Sequence, residues 1–417
     1  MSVDGKVLGV FCAGLILRLA FVLAYPQPAV VHDAAAYDAQ AHDLAFKTGF
    51  REGLRDARQF SKGPVYPLVL AAVYRTFGDH HAAVRVFQAV VSSMVIVVVF
   101  ALANTVFGRR VAGLAAVLTA IYPPFISYAG WLLTETLSVF LLALLVYLVV
   151  RGLQQAGVWR WSAAGLTAGL LILHRQEMAA VVAAVAAALW WWRVNRRQFG
   201  FFVLMVAMTI LPWAVRNTLV FHQPVLMAPG AGMQLWLSMV DPQGRPEWDA
   251  AAPHMQEYQA LVAGADSLEA DRRLRTEGMR RILADPPGYL RLCLKRIPAF
   301  WLGGHSNTFG GLEQSLTAYL AQGDVWRVSL KLLMLAFNLG LIVLGAAGAY
   351  LAWRLKTADP RSLGLVALPV VITAVTHVFL FAALRYQVPI MSFLILFAAF
   401  AVCCLLGRLS RTVSTAP

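Results

Sequence analysis

Charge is scarce in this sequence. Only 13% of its 417 residues are Asp, Glu, Lys or Arg, 59% are hydrophobic, and the mean hydropathy is +0.66. A soluble domain carries about 25% charged and about 45–50% apolar residues, so the composition excludes one and points to an integral membrane protein. Acidic residues are scarcer than basic ones, 21 against 35, for a net charge of +14. The basic residues sit in short clusters between apolar runs. That arrangement excludes a nucleic-acid-binding face and reads as membrane topology. Cysteine is nearly absent. Cys12, Cys403 and Cys404 lie in apolar runs and Cys293 lies alone, which excludes a disulfide framework and a cysteine-ligated metal centre. A Walker loop and a Gly-rich dinucleotide fingerprint are missing too, which leaves no recognisable nucleotide site.

What the sequence has is apolar runs. Ten of them, near 7–25, 84–107, 110–128, 133–150, 161–176, 177–192, 199–215, 329–352, 363–383 and 387–407, approach the length of about 20 residues that a spanning helix requires. The first contains Arg18, is followed by no small-residue cleavage site, and reads as an uncleaved signal-anchor. With the N-terminus in the cytoplasm, the connections after the second, fourth, sixth and eighth runs and the C-terminal tail carry the basic clusters: Arg109–Arg110, Arg151–Arg160, Arg193–Arg197, Arg354–Lys356–Arg361 and Arg408–Arg411. Of the acidic residues, Asp4 and Asp359 alone then fall inside, and the other 19 (21 − 2) fall outside. Opposite signs therefore sort to opposite sides, as the positive-inside bias requires. The expected protein is an all-α polytopic membrane domain over residues 1–417. It has two helical outer segments, 26–83 and 217–328. Within the second, "DSLEADRRLRTEGMRRILADPP" (266–287) predicts an amphipathic helix with Asp266 as N-cap, Glu269 at N3 and Pro286–Pro287 as its stop. "YLRLCLKRIPAFWL" (289–302) mixes cations and apolar residues like a helix lying in the interface plane.

Four stretches carry candidate chemistry. In "VVHDAAAYDAQAHDLAFKTG" (30–49), Asp33 follows the first run by about eight residues, and Tyr37 lies one turn beyond it on the same helix face. A carboxylate held at the membrane surface beside apolar walls can serve as a general base. Asp38 and Asp43 read as solvated neighbours. In "FSKGPVYP" (60–67), Lys62 stands before a stiff turn, with Tyr66 beyond it, as a natural phosphate partner. In "YPPFISYAGWLLTETL" (122–137), Glu135 sits at the outer start of an apolar helix, where a carboxylate is costly and therefore a candidate site residue. Arg175, Arg216 and Arg385 lie at outer helix ends, against the positive-inside bias, and each asks for an anionic partner: a carboxylate such as Glu177, a lipid headgroup or a substrate phosphate. His32 and His42 with Asp33 and Asp43 are metal-ligating types, but scattered loop histidines are the commoner arrangement.

These stretches, with "PWAVRN", "DPPGYLRLCLKRIPAFW" and "RYQVP", together resemble the GT-C-type glycosyltransferases, near the bacterial protein-mannosyltransferase and aminoarabinose-transferase-like groups. The resemblance implies transfer of a sugar from a polyprenyl-phosphate-linked donor to an envelope glycan, lipid or protein acceptor, with inversion, at the outer face of a bacterial cytoplasmic membrane. It implies Asp33 as the catalytic carboxylate and Glu135 as a second acidic residue near the sugar. Lys62, Arg216 and Arg385 would hold the donor phosphate, and Tyr37, Tyr66, Arg175 and Tyr386 would line the cavity. Ser61 stands where some relatives carry a glutamate, which speaks against a metal there. The expected partners are the lipid-linked donor, the acceptor and the bilayer, with no nucleic acid and no cofactor, a divalent metal being the lesser alternative. The competing reading is a transporter or flippase of lipid-linked substrates. That would place ionisable groups at mid-membrane in broken helices, whereas here they cluster at one face, with Arg18 the chief exception.

Overall fold

The computed structural model describes residues 5–47, 63–155, 157–227, 229–240 and 253–407. Among these residues all regular structure is helical. The order is α1 (Gly5–Ala24), α2 (Asp33–His42, continued by a π turn at Asp43–Lys47), α3 (Val65–Phe77), α4 (His81–Phe107), α5 (Arg109–Ile121), α6 (Pro123–Ser127), α7 (Glu135–Gln154), α8 (Val158–His174) and α9 (Met178–Trp191). Then follow α10 (Arg196–Phe221), α11 (Ala231–Val240), α12 (Pro253–Val262), α13 (Ser267–Ala284), α14 (Pro286–Trp301), α15 (Leu316–Ala321), α16 (Val325–Arg354), α17 (Pro360–Phe379), a 3₁₀ turn at Leu384–Ile390, and α18 (Met391–Leu405).

Each of the ten apolar runs lies on a helix. Seven segments among the described residues are long and apolar enough to cross a membrane: α1, α4, α7, α10, α16, α17 and Leu384–Leu405, which joins the 3₁₀ turn to α18. The runs expected at 110–128, 161–176 and 177–192 form α5, α8 and α9, of 13, 17 and 14 residues, shorter than the about 20 an upright span needs. The prolines explain the first case. Pro123 and Pro124 lack N–H groups, and Pro123 drives Tyr122 to extended backbone (φ −65, ψ 114), so α5 stops at Ile121. The polar His174–Glu177 stretch separates α8 from α9.

The last spanning segment is the centre of the bundle: 83% of its apolar window is buried, against 11% for α10 at the periphery. α18 packs against α16 and α5, α4 against α1, α5 and α7, and α8 against α7 and α10. Small residues allow the close approach, as is usual between membrane helices. A Cβ on Gly348 of α16 would lie 1.9 Å from the Phe397 carbonyl oxygen of α18.

Arg18, the apparent exception in α1, is fully buried and hydrogen-bonded through all three nitrogens. Its Nε donates to Ser92 Oγ at 2.8 Å, Nη1 to Ala120 O at 2.9 Å and to Gly14 O at 3.1 Å, and Nη2 to Thr119 O at 3.1 Å. The donors four residues on from Thr119 and Ala120 would be Pro123 and Pro124, which have none. Arg18 thus closes the C-terminus of α5, where free carbonyls and the helix dipole both favour a cation.

Within 217–328 the cap at Asp266 forms as expected, accepting from Leu268 N and Glu269 N. Pro286 and Pro287 do more than stop that helix. They occupy the first turn of α14, with Asp285 as its N-cap, the place where proline costs no hydrogen bond. α14 exposes Leu290, Leu294 and Ile297, as an interfacial helix would. Arg296, however, turns inward and donates to the carbonyls of Ser238 and Val378. Asp271 of α13 is buried and accepts from Gly230 N and Gly232 N at 2.8 and 2.7 Å, tying α13 to α11.

Candidate active site

Asp33 is the first residue of α2, where unpaired N–H groups and the helix dipole favour a carboxylate. The residue before it, His32, is held at φ 52, ψ −123, a region that L side chains adopt at a cost of about 1–3 kcal/mol. One turn on, Tyr37 packs edge-on against Tyr66 of α3 with ring centroids 5.1 Å apart. Burial, with Asp33 adding to it, pushes the Tyr37 phenol above its ordinary range, so it stays a neutral donor. Tyr66 donates to Gln88 Oε1 at 2.8 Å, and Gln88 in turn donates to Trp131 O at 2.7 Å. α3 reaches this position because its approach is a glycine: a Cβ on Gly63 would stand 2.3 Å from Leu173 O at the end of α8.

Arg385 lies 352 positions further along the chain, in the 3₁₀ turn, and its Nη2 donates to Asp33 Oδ2 at 2.7 Å. Its Nε stands 3.9 Å from Glu135 Oε1. Glu135 opens α7 and its side chain is 2% exposed. The same Oε1 lies 3.5 Å from Arg175 Nη1, and Arg175 pairs with Glu177 at 2.6 Å. The result is a ladder of alternating charge, Asp33–Arg385–Glu135–Arg175–Glu177, with three carboxylates and two guanidiniums. Tyr386 serves both cations: Arg175 lies 5.0 Å and Arg385 5.2 Å from its ring centroid, at cation–π distance. Buried Glu135 Oε2 and Arg175 Nη1 have no hydrogen-bond partner, an unusual state for buried polar atoms.

The turn that aims Arg385 is fixed from below by polar residues. Gln387 is fully buried. Its Oε1 accepts from Asn338 Nδ2 at 3.1 Å and faces His305 Nε2 at 3.2 Å, and Tyr122 donates to Asn338 Oδ1 at 2.6 Å. Burial pushes the His305 imidazole down to about 4, so it is neutral near pH 7. His377 stacks on Tyr386 at 4.4 Å and hydrogen-bonds through Nδ1 to Thr373 O at 2.8 Å. Sequence reasoning missed His305, Asn338, His377 and Gln387. None of them belongs to a spacing pattern that marks a site.

The remaining expectations divide. Asp33, Tyr37, Tyr66, Glu135, Arg175, Arg385 and Tyr386 come together. Lys62 and Ser61 lie outside the described residues. Arg216 of α10 donates to Asn217 Oδ1 at 2.9 Å and lies 4.8 Å from the Trp213 ring; none of the ladder's ion pairs includes it. Asp38 is not the solvated residue expected. It accepts from the Tyr74 hydroxyl and lies 3.1 Å from His81 Nε2, because α2 packs this face onto α3 and the start of α4. Asp43 pairs with Lys47 at 2.9 Å, and His42 with Asp79 at 3.1 Å, so His32, His42, Asp33 and Asp43 do not converge. Among the described residues no group of three or more His, Cys, Asp or Glu is placed to hold a metal ion.

Residues 61–215 match the family described as dolichyl-phosphate-mannose-protein mannosyltransferase. No curated protein matches the chain by sequence. The oligosaccharyltransferase of Archaeoglobus fulgidus in its apo form superimposes with a TM-score of 0.56 at 14% identity, over 96% of this chain and 51% of that one. The chain shares the membrane-domain fold of that enzyme. A second structure of that archaeal enzyme, AglB in complex with an inhibitory peptide and a dolichol-phosphate, gives a TM-score of 0.52 at 14% identity, over 99% and 52% of the two chains. ArnT from Cupriavidus metallidurans bound to undecaprenyl phosphate is more distant, with a TM-score of 0.44 at 16% identity over 97% and 78%. The chain spans about half the length of the archaeal enzymes it matches. The family match contains Glu135, Arg175 and Glu177 of the charge ladder, and Asp33 and Arg385 lie on either side of it.

Proposed function

We propose that this chain is a glycosyltransferase that takes a sugar from a polyprenyl-phosphate-linked donor and gives it to an envelope glycan, lipid or protein acceptor. The reaction takes place at the outer face of a bacterial cytoplasmic membrane. The observation that carries this reading is the junction of Asp33, Arg385 and Glu135: a partly exposed carboxylate and a partly exposed guanidinium, 35% and 33% open, backed by a buried carboxylate. The description of the matching family and the dolichol-phosphate bound to a protein of similar fold support the same reading.

Asp33 accepts the proton of the acceptor hydroxyl as its oxygen attacks the anomeric carbon. The bond from that carbon to the phosphate oxygen breaks, and the electron pair leaves with the polyprenyl phosphate. Attack opposite the leaving group inverts the anomeric centre. The leaving phosphate is weakly basic, so cation stabilisation by Arg385 and Lys62 substitutes for a general acid. Arg216 is assigned to the donor more loosely, as a cation of the outer helix ends. Glu135 and Arg175 form the wall that meets the sugar, with Tyr37, Tyr66 and Tyr386. The outer segments 26–83 and 217–328 supply acceptor recognition. The transporter alternative gains no support from Arg18, each of whose three nitrogens donates within the protein.

The test is incubation of the purified protein, in bilayer nanodiscs, with a panel of polyprenyl-phosphate sugars and bacterial envelope fractions, followed by mass analysis. The expected result is consumption of one donor with release of polyprenyl phosphate and a hexose- or pentose-sized mass increase on an acceptor. Movement of intact donor across a sealed bilayer without its consumption would support the transporter instead.

A further inference from the structure

Asp33 and Arg385 have separate tasks in the proposed reaction, yet the structure pairs them with each other. Asp33 Oδ2 already accepts from Arg385 Nη2 at 2.7 Å, so one oxygen of the base is held by the cation that a phosphate would take. The guanidinium edge that would take a phosphate is occupied too. Both side chains are about one-third exposed, within reach of a ligand entering from outside. Glu135, 3.9 Å from Arg385 Nε and 2% exposed, is in place to remain. If Asp33 leaves, Arg385 keeps a countercharge behind it and presents its front to the newcomer. A carboxylate and a phosphate offer a guanidinium the same kind of paired anionic oxygens.

We propose that Asp33 is an internal occupant of the donor-phosphate position on Arg385. In the resting protein the Asp33–Arg385 pair closes the site. The phosphate of a polyprenyl-phosphate donor displaces the carboxylate, and this one exchange both seats the donor and frees Asp33 to act as base. In an unoccupied site the base is then held against Arg385. After transfer the polyprenyl phosphate leaves, and Asp33 returns to Arg385. This inference rests on the assignment of Asp33 as base and Arg385 as phosphate partner, and its test separates the two claims.

The experiment measures binding of a long-chain polyprenyl phosphate in detergent micelles, with turnover of the donor sugar read on the same samples. Asp33→Asn removes the competing charge, so it binds polyprenyl phosphate about tenfold more tightly than wild type, equivalent to about 1.4 kcal/mol. Asp33→Ser, measured in parallel, does the same and guards against one variant misfolding. Arg385→Gln binds more weakly, and Asp33→Asn in the Arg385→Gln background brings no gain over Arg385→Gln alone. Asp43→Asn, which removes the same charge from a residue paired with Lys47, leaves the affinity unchanged and controls for net charge. Unchanged or weaker binding in folded Asp33→Asn and Asp33→Ser overturns the proposal. So does a gain that persists without Arg385. Turnover reads the base assignment independently: loss of turnover with unchanged affinity would sink the internal-occupant proposal and leave the base in place.

Discussion

Replacing Arg18 by methionine keeps the length and apolar bulk of the side chain and removes every donor. Four contacts go: Ser92 Oγ, Gly14 O, Ala120 O and Thr119 O. They are not equal. Gly14 O lies four residues before Arg18 in the same helix, so the backbone N–H of Arg18 still serves it. Ser92 keeps its own bond to Phe125 O at 2.6 Å. The carbonyls of Thr119 and Ala120 are the uncompensated loss, because Pro123 and Pro124 give them nothing and both residues are buried. An unsatisfied buried acceptor costs about 1–3 kcal/mol, so two cost about 2–6 kcal/mol. Release of a buried cation offsets part of this. The net expectation for Arg18→Met is a loss of about 2–4 kcal/mol, a large share of the total stability of about 5–15 kcal/mol typical of folded domains. Arg18→Lys keeps a charge and three donors but cannot fork to two carbonyls and a hydroxyl at once, so it falls between. The assay is thermal or denaturant unfolding of detergent-purified protein followed by tryptophan fluorescence. An Arg18→Met protein as stable as wild type would refute the helix-closing role and reopen a functional one.

Three further outcomes are expected. His32→Gly relieves the left-handed backbone before Asp33 and retains turnover and stability, whereas His32→Ile loses about 1–2 kcal/mol; loss of turnover in a well-folded His32→Gly would instead reveal a role for the imidazole, such as metal ligation. His305 is held neutral by burial, with its folded value near 4 against 6.5, so between these pH values the unfolded chain binds a proton that the folded chain does not. Stability is therefore full above pH 6.5 and falls as pH drops towards 4, by up to about 3 kcal/mol, and unfolding of His305→Gln across this range has a flatter acid limb. Cysteines placed at Leu226 and Leu355, both exposed, react with an impermeant thiol reagent from the outside and the cytoplasmic side respectively; the opposite pattern contradicts the charge-based orientation.

The helices were legible because a run of apolar residues is a strong, local signal: every expected run lies on one. Their lengths were less so. Pro123–Pro124 was visible in the sequence, but its consequence, a helix end closed by an arginine 101 and 102 positions away, required the fold. Asp33 and Glu135 stood out because carboxylates are rare in this chain. Their meeting through Arg385 was not readable, since the partners are 352 positions apart in one pair and belong to different helix ends. Asp38 was misread as solvated. A polar residue on a short outer helix carries no mark of which face it takes, and α2 turned this one onto Tyr74 and His81. Arg216 followed the same rule as Arg175 and Arg385, an arginine at a helix end expected outside, yet none of the ladder's ion pairs includes it, and it hydrogen-bonds to Asn217 and lies over Trp213 on its own helix. The rule finds cations that need partners and does not say which partners they share.

The central claim is that Asp33 takes the acceptor proton during sugar transfer. Its most direct test is the turnover number of folded Asp33→Asn on the donor that the wild-type protein consumes, at saturating donor and acceptor. Loss of a general base costs about 10²–10⁴-fold, and a fall of that size, with unfolding behaviour near wild type and Asp43→Asn unimpaired, is the predicted result. An Asp33→Asn protein that turns over within a few-fold of wild type would contradict the account and move the search for the base to Glu135.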